Sequence, residues 1–153
     1  MPTGKTHDKI TLIITPIIIL TSFYVLKNIR NDINYIRDVL IILFSYLFSS
    51  FMFNGDLDTN SRPYNRWFLF KMIWIPYQLL FKHRNIFTHG IIIGTIIRII
   101  YLLIIILPIL YFCGYLNLVN DLIKYHKDVM LLIIIGLESG SALHTISDKI
   151  KSF

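Results

Sequence analysis

Seven side chains able to bind a metal lie where long apolar runs meet polar junctions: His7, Asp56, Asp58, His83, His89, His144 and Asp148. Asp56 and Asp58 are i, i+2, and in an extended segment such residues point the same way. His83 and His89 lie in KHRNIFTHG, before a long apolar run. His144 and Asp148 are i, i+4 and share one face of a helix. Imidazole and carboxylate without sulfur suit Zn, Mn or Fe. Cys113 is the single cysteine, so an internal disulfide and a thiolate cluster are both excluded. The candidates outnumber the ligands of one tetrahedral ion. Either some orient imidazoles from outside, or two ions share the site.

Taken singly, each pair has a plainer reading. The aspartates suit a solvated, capped loop. The histidines suit an amphipathic interface. The i, i+4 pair suits a helix end. Asp56-x-Asp58-x-Asn60 also opens like a calcium loop, but Ser61 and Trp67 replace its required Gly and Glu, so that motif fails. The case for a metal rests on where all the groups converge.

The elements that must position them are apolar. The chain has 153 residues, 55% of them hydrophobic, and a mean hydropathy of +0.63, far above what a soluble domain of this size needs. We read residues 1–153 as a single membrane-embedded domain. The formal charge of +6 is spread between apolar runs, as in membrane proteins. No nucleic-acid-binding module is visible, so nucleic acid is not an expected partner. The expected partner is a lipid bilayer.

Residues 10–26, 39–53, 91–116 and 129–143 form four apolar runs, each read as a transmembrane helix. No small-residue cleavage site follows the first, so it reads as a retained helix and not a signal peptide. The longest connection, residues 54–90, joins the second run to the third. Within it, Asn60 or Ser61 can cap a helix with Pro63 in its first turn. Residues 64–81 are aromatic but carry Arg66, Lys71, Pro76 and Gln78. This predicts an interfacial helical segment, with Trp67, Trp74, Tyr64 and Tyr77 at headgroup level. Residues 117–128 read as a polar loop. The fold class is therefore all-α: a polytopic membrane protein of four transmembrane helices with an interfacial segment between the second and third.

Four spans put both termini and the central connection on one side. Nine basic residues fall on that side and five on the other, which predicts a cytoplasmic or stromal location for the termini and the metal site. The same topology gathers four of the five histidines at one face and leaves His126 at the other. Gly136, Gly140, His144 and Asp148 are spaced by four, as are Gly90, Gly94 and Arg98. Small residues at this spacing let helices approach closely in lipid. This predicts a crossing of the third and fourth helices that brings His89 to His144. Arg98 and Glu138 lie at similar depth and are predicted to pair.

Three functions remain in contention. The first is a metal-dependent hydrolase acting on a membrane-associated ester or phosphoester. The second is a metal carrier or sensor, whose ligands belong near the bilayer midplane, whereas these sit at one interface. The third is a structural protein stapled by a metal ion. No G-x-S-x-G nucleophile motif is present. For the hydrolase, the expected direct ligands are His83, His89, Asp58 and His144. Asp56 or Asp148 is then the general base or an orienting carboxylate. Arg62, Arg66 and Arg84 are candidates for gripping a phosphate.

The stretches MPTGKTHDKIT, GDLDTNSRPYNRW, IWIPYQLLFKHRNIFTHG with GTIIRIIYLL, and GSALHTISD span nearly the whole chain. Across them the sequence resembles a small family of metal-binding membrane proteins of cyanobacterial and plastid lineages. That family is similar in turn to LexA-regulated, membrane-bound, metal-dependent hydrolases. The resemblance implies metal-ligand roles for His7, Asp56, Asp58, His83, His89, His144 and Asp148. It implies one or two divalent ions, and a bacterial inner-membrane or plastid-membrane location. It implies no firm reaction.

Overall fold

The computed structural model describes residues 4–29, 33–83 and 85–150. Its elements are helical: α1 (Gly4–Ile29), α2 (Tyr35–Met52), a 3₁₀ turn (Gly55–Asp58), α3 (Arg62–Asn65), a second 3₁₀ segment (Phe68–Trp74), α4 (Ile75–Leu80), α5 (Ile86–His89), α6 (Ile93–Phe112), α7 (Leu116–Tyr125) and α8 (Lys127–Ile150). Four of these segments are long and apolar enough to cross a membrane, as the four apolar runs predict. Such helices must satisfy every polar group internally. Accordingly, Thr15 and Thr21 each donate a hydroxyl to the carbonyl one turn back, at 2.8 Å.

α2 and α8 form the closest helix pair. A side chain at Gly136 would strike the Ile42 carbonyl and Ser45, and one at Gly140 would strike the Tyr46 carbonyl and Ser49. Bare backbone at these two positions admits α2, and Ser49 Oγ then donates to the Leu137 carbonyl at 2.5 Å. The glycine ladder therefore serves α2 and not the third long helix, α6, as its spacing had suggested. Spacing reveals that a face is small; it does not reveal which helix meets it.

The connection between α2 and α6 folds back on the bundle end. Ser61 caps α3 by accepting from the Tyr64 N–H at 3.3 Å, with Pro63 in the first turn. Gln78 on α4 donates to the carbonyls of Leu57 and Thr59, both at 3.0 Å, tying α4 to the 3₁₀ turn. Phe53, Leu57, Tyr64, Trp74, Tyr77 and Leu137 form a core there. Trp74 and Tyr77 are fully buried, so they are core anchors and not the headgroup-level rings expected. The outward apolar residues are instead Phe68, Leu69, Phe70, Met72, Leu79 and Leu80.

Two further expectations change. Residues 116–125 form helix α7 where a polar loop was read. Its apolar residues Leu116, Val119, Leu122 and Ile123 recur at helical spacing, which is the signal the count of polar residues masked. Arg98 and Glu138 do not pair. Arg98 donates from its two terminal nitrogens to Thr88, Thr95 and Ser141. Glu138 accepts from the Ile92 N–H at 2.8 Å, where the chain turns from α5 into α6 with Ile92 at φ 68°. Depth along two helices does not fix rotation about them, and both groups found polar backbone nearer to hand.

Candidate metal centre

Each element delivers its ligands to the same end of the bundle. α1 brings His7 from its first turns, and the last turns of α8 bring His144 and Asp148. Asn54 caps the 3₁₀ turn by accepting from the Asp56 N–H at 3.1 Å. That turn presents Asp56 and Asp58. The short α5 ends in His89. Gly55 lies against the His89 ring: an added Cβ would sit 2.9 Å from its Cδ2, so only glycine lets the ring pass.

Asp56 Oδ1, His89 Nε2, His144 Nε2 and Asp148 Oδ2 face one another. Asp56 lies 3.5 Å from His89 and 3.3 Å from His144, while Asp148 lies 4.0 Å from His89 and 3.6 Å from His144. All four atoms fall within 4.8 Å of one another. Ligands held about 2.0–2.2 Å from a tetrahedral ion lie about 3.3–3.6 Å apart. His89 Nε2, both ring nitrogens of His144 and Asp148 Oδ2 are buried without a hydrogen-bond partner. Buried polar atoms are seldom left so, and a divalent cation would satisfy three of them together with Asp56. The donor set, two imidazoles and two carboxylates, fits Zn, Mn or Fe.

Around this quartet lie carboxylate–imidazole pairs. His89 turns its other nitrogen, Nδ1, toward Asp58 Oδ2 at 3.5 Å and Thr88 Oγ1 at 3.0 Å. His83 Nδ1 is 2.8 Å from Asp58 Oδ1. His7 Nε2 is 3.1 Å from Asp148 Oδ1, and its ring packs 4.2 Å from that of His144. Burial works against a charge on His89, yet hydrogen bonds and attraction from Asp56 and Asp58 outweigh it and raise its pKa to about 9. Without a metal, then, a proton takes the cation's place.

All seven predicted residues gather at this end; six fall in two groups that share His89, and His7 stands beside the first on Asp148. Asp56, His89, His144 and Asp148 form one, and Asp58, His83 and His89 the other. The expected direct set of His83, His89, Asp58 and His144 does not meet at one point. The aspartates were expected to point the same way from an extended loop. The 3₁₀ turn instead sends Asp56 to one edge of the His89 ring and Asp58 to the other. Arg62 and Arg66 are engaged by Asp8: Arg62 Nη1 donates at 2.8 Å, and Arg66 makes a fork with bonds of 3.0 and 2.7 Å. Arg84 lies outside the described residues. Sequence reasoning missed Asp8 as the partner of these arginines, although it adjoins His7. It also missed Asn54 and Gly55, which shape the turn.

Over residues 2–153 the sequence matches the family described as "Uncharacterized metal-binding protein (DUF2227)". The chain belongs to that family. A stretch of 58 residues is also 38% identical to an "Uncharacterized protein" of Aquifex aeolicus (strain VF5), covering 37% of this chain and 40% of that one. The match thus spans well under half of that relative's length. No solved structure matches the chain.

Proposed function

We propose that this is an integral membrane metalloprotein that uses one divalent ion, held by Asp56, His89, His144 and Asp148, to hydrolyse a membrane-associated ester or phosphoester. The observation that carries it is the quartet of facing ligand atoms, three of them buried and otherwise partnerless. Membership of a metal-binding family supports the metal, and the resemblance to membrane-bound hydrolases supports the reaction. The four apolar helices support the bilayer. The excess of basic residues beside the termini supports a cytoplasmic or stromal centre, in a bacterial inner membrane or a plastid membrane.

When bound, the ion supplies Lewis acidity and a water whose pKa is lowered toward neutrality. The protein's own residues do the rest. Thr88 Oγ1 at 3.0 Å and Asp58 Oδ2 at 3.5 Å face His89 Nδ1 and favour the tautomer that presents Nε2. Asp148 has its second oxygen held by His7, so it is a poor proton acceptor. Asp56 keeps its second oxygen free of partners among the described residues, but its burial is outweighed by hydrogen bonds from His144 and His89, which hold its carboxyl well below the usual carboxylate range, so it orients the bound water and is a weak proton acceptor. His83, half-exposed beside Asp58, can pass protons to solvent. Arg62 and Arg66 offer a phosphate two guanidinium groups only if it shares or displaces Asp8. The outward aromatic and aliphatic residues of 68–80 hold the centre at headgroup depth.

The ligand count favours a second reading. Four protein ligands close a tetrahedral zinc, as in structural sites, whereas a six-coordinate Mn or Fe retains two open positions. If zinc is the resident ion, the centre staples α1, α8 and the central connection. The deciding experiment measures metal content of purified protein, then turnover of phosphomonoester, phosphodiester and carboxylester lipids with each metal. Chelator-sensitive turnover that disappears in Asp56→Ala supports the hydrolase. A folded, fully loaded protein that turns over none of them supports the staple.

A further inference from the structure

Arg98 is the odd residue of the bundle. It sits on α6, fully buried, and no carboxylate among the described residues comes within 4.0 Å of it. Intramembrane charges are expensive and usually paired, so a lone guanidinium at this place requires an explanation. Its hydrogen bonds give one. Nη1 donates to the Thr88 carbonyl at 2.8 Å, and Nη2 donates to Thr95 Oγ1 at 3.1 Å and Ser141 Oγ at 2.6 Å. The guanidinium carbon lies 5.4 Å from the centre of the Phe53 ring, within cation–π range.

Thr88 immediately precedes His89, and its hydroxyl lies 3.0 Å from His89 Nδ1. Ser141 precedes His144 by three residues, just under one helical turn. One rigid fork therefore ties the element carrying His89 to the helix carrying His144. Gly94 makes room for the fork: a Cβ there would sit 2.6 Å from the Thr88 carbonyl oxygen and 3.3 Å from Arg98 Nη1. A planar guanidinium holds such an arrangement better than a flexible ammonium does.

Charge points the same way. With neutral imidazoles, the centre encloses the carboxylates of Asp56, Asp58 and Asp148. Arg98 is attracted by Asp58 and by Glu138, so its guanidinium offsets part of the negative charge at this end of the bundle and leaves the rest for a cation. We infer that Arg98 is a positioning residue of the metal centre, setting the separation of His89 from His144. This rests on the metal reading above.

Cobalt(II) is the probe, because its visible absorption reports ligand geometry while titration reports affinity and stoichiometry. Wild-type protein in detergent should bind one Co²⁺ per chain. Arg98→Met should weaken binding by about 10- to 100-fold, the usual effect of losing an outer partner, and should change the spectrum. Arg98→Lys should restore part of the affinity. If Arg98→Met does not fold, Ser141→Ala and Thr95→Val each remove one acceptor and should weaken binding on the order of two- to tenfold. Arg98→Met that binds Co²⁺ with wild-type affinity and spectrum overturns the inference, as does unchanged binding in both acceptor variants. If Asp56→Ala binds Co²⁺ as wild type does, the metal reading itself fails.

Discussion

The two ends of this bundle draw on the same residue types and use them differently. At one end, His7, His89, His144, Asp56 and Asp148 are turned inward and packed against one another. At the other, His126 and Asp128 are exposed, and α7 buries none of its residues. The difference lies in what surrounds the polar groups. The metal end has a capped 3₁₀ turn, a core of aromatic rings and glycines at two close approaches. The far end has a smaller core of Leu26, Val39, Ile42 and Leu132, and α7 lies outside it.

The sharpest way to break this contrast is at the quartet. His144→Ala or Asp56→Ala should abolish stoichiometric metal binding, a loss of at least about 100-fold in affinity, whereas His126→Ala should change it less than twofold. Elemental analysis of the purified variants reads both. Equal losses at the two ends would remove the distinction.

Glycine variants come next. Gly140→Ala puts a Cβ 2.5 Å from the Tyr46 carbonyl oxygen and should destabilise the fold by about 1–3 kcal/mol through overpacking. At the far end, Gly114 has φ +77° and open space around it, so Gly114→Ala should cost only about 1 kcal/mol, from backbone strain alone. Thermal unfolding of the metal-free variants in one detergent compares them.

A pH titration sharpens the metal end alone. The cation must displace the proton that His89 holds up to about pH 9. Affinity should therefore rise with pH across the neutral range, by at most about tenfold per unit for one proton, and level off near pH 9. The metal-free protein should show the opposite trend. Because the folded pKa is raised, the His89 contribution to stability is complete below about 6.5 and is lost as pH rises toward 9. Affinity independent of pH from 6 to 9 would remove His89 from the ligand set.

The smallest effect expected is at α7. Leu122→Ser should leave metal binding unchanged and alter stability by no more than about 0.5 kcal/mol in detergent, since the side chain packs against no core.

Much of this arrangement was legible in the sequence. Apolar run lengths gave the four long helices, and helix parity gathered four of the five histidines, with Asp56, Asp58 and Asp148, at one end. Ser61 and Pro63 gave the start of α3. What could not be read was orientation. Asp56 and Asp58 part because Asn54 winds the turn into a 3₁₀ helix, a choice made by one side-chain hydrogen bond. Gly136 and Gly140 announce a close approach without saying that α2 makes it. Arg98 announces a buried charge, but its acceptors are a carbonyl and two hydroxyls, groups too common to pick out in advance.

The bond between His7 and Asp148 joins residues 141 positions apart. A ribosome therefore makes the first member of the group long before His144 and Asp148. Until α8 is made, His7 lacks Asp148, and His89 has only Asp56 and Asp58 beside it. The centre can close only once α8 is in place beside α2. A chain lacking α8 would present Asp56, Asp58, His83 and His89 without His144 and Asp148.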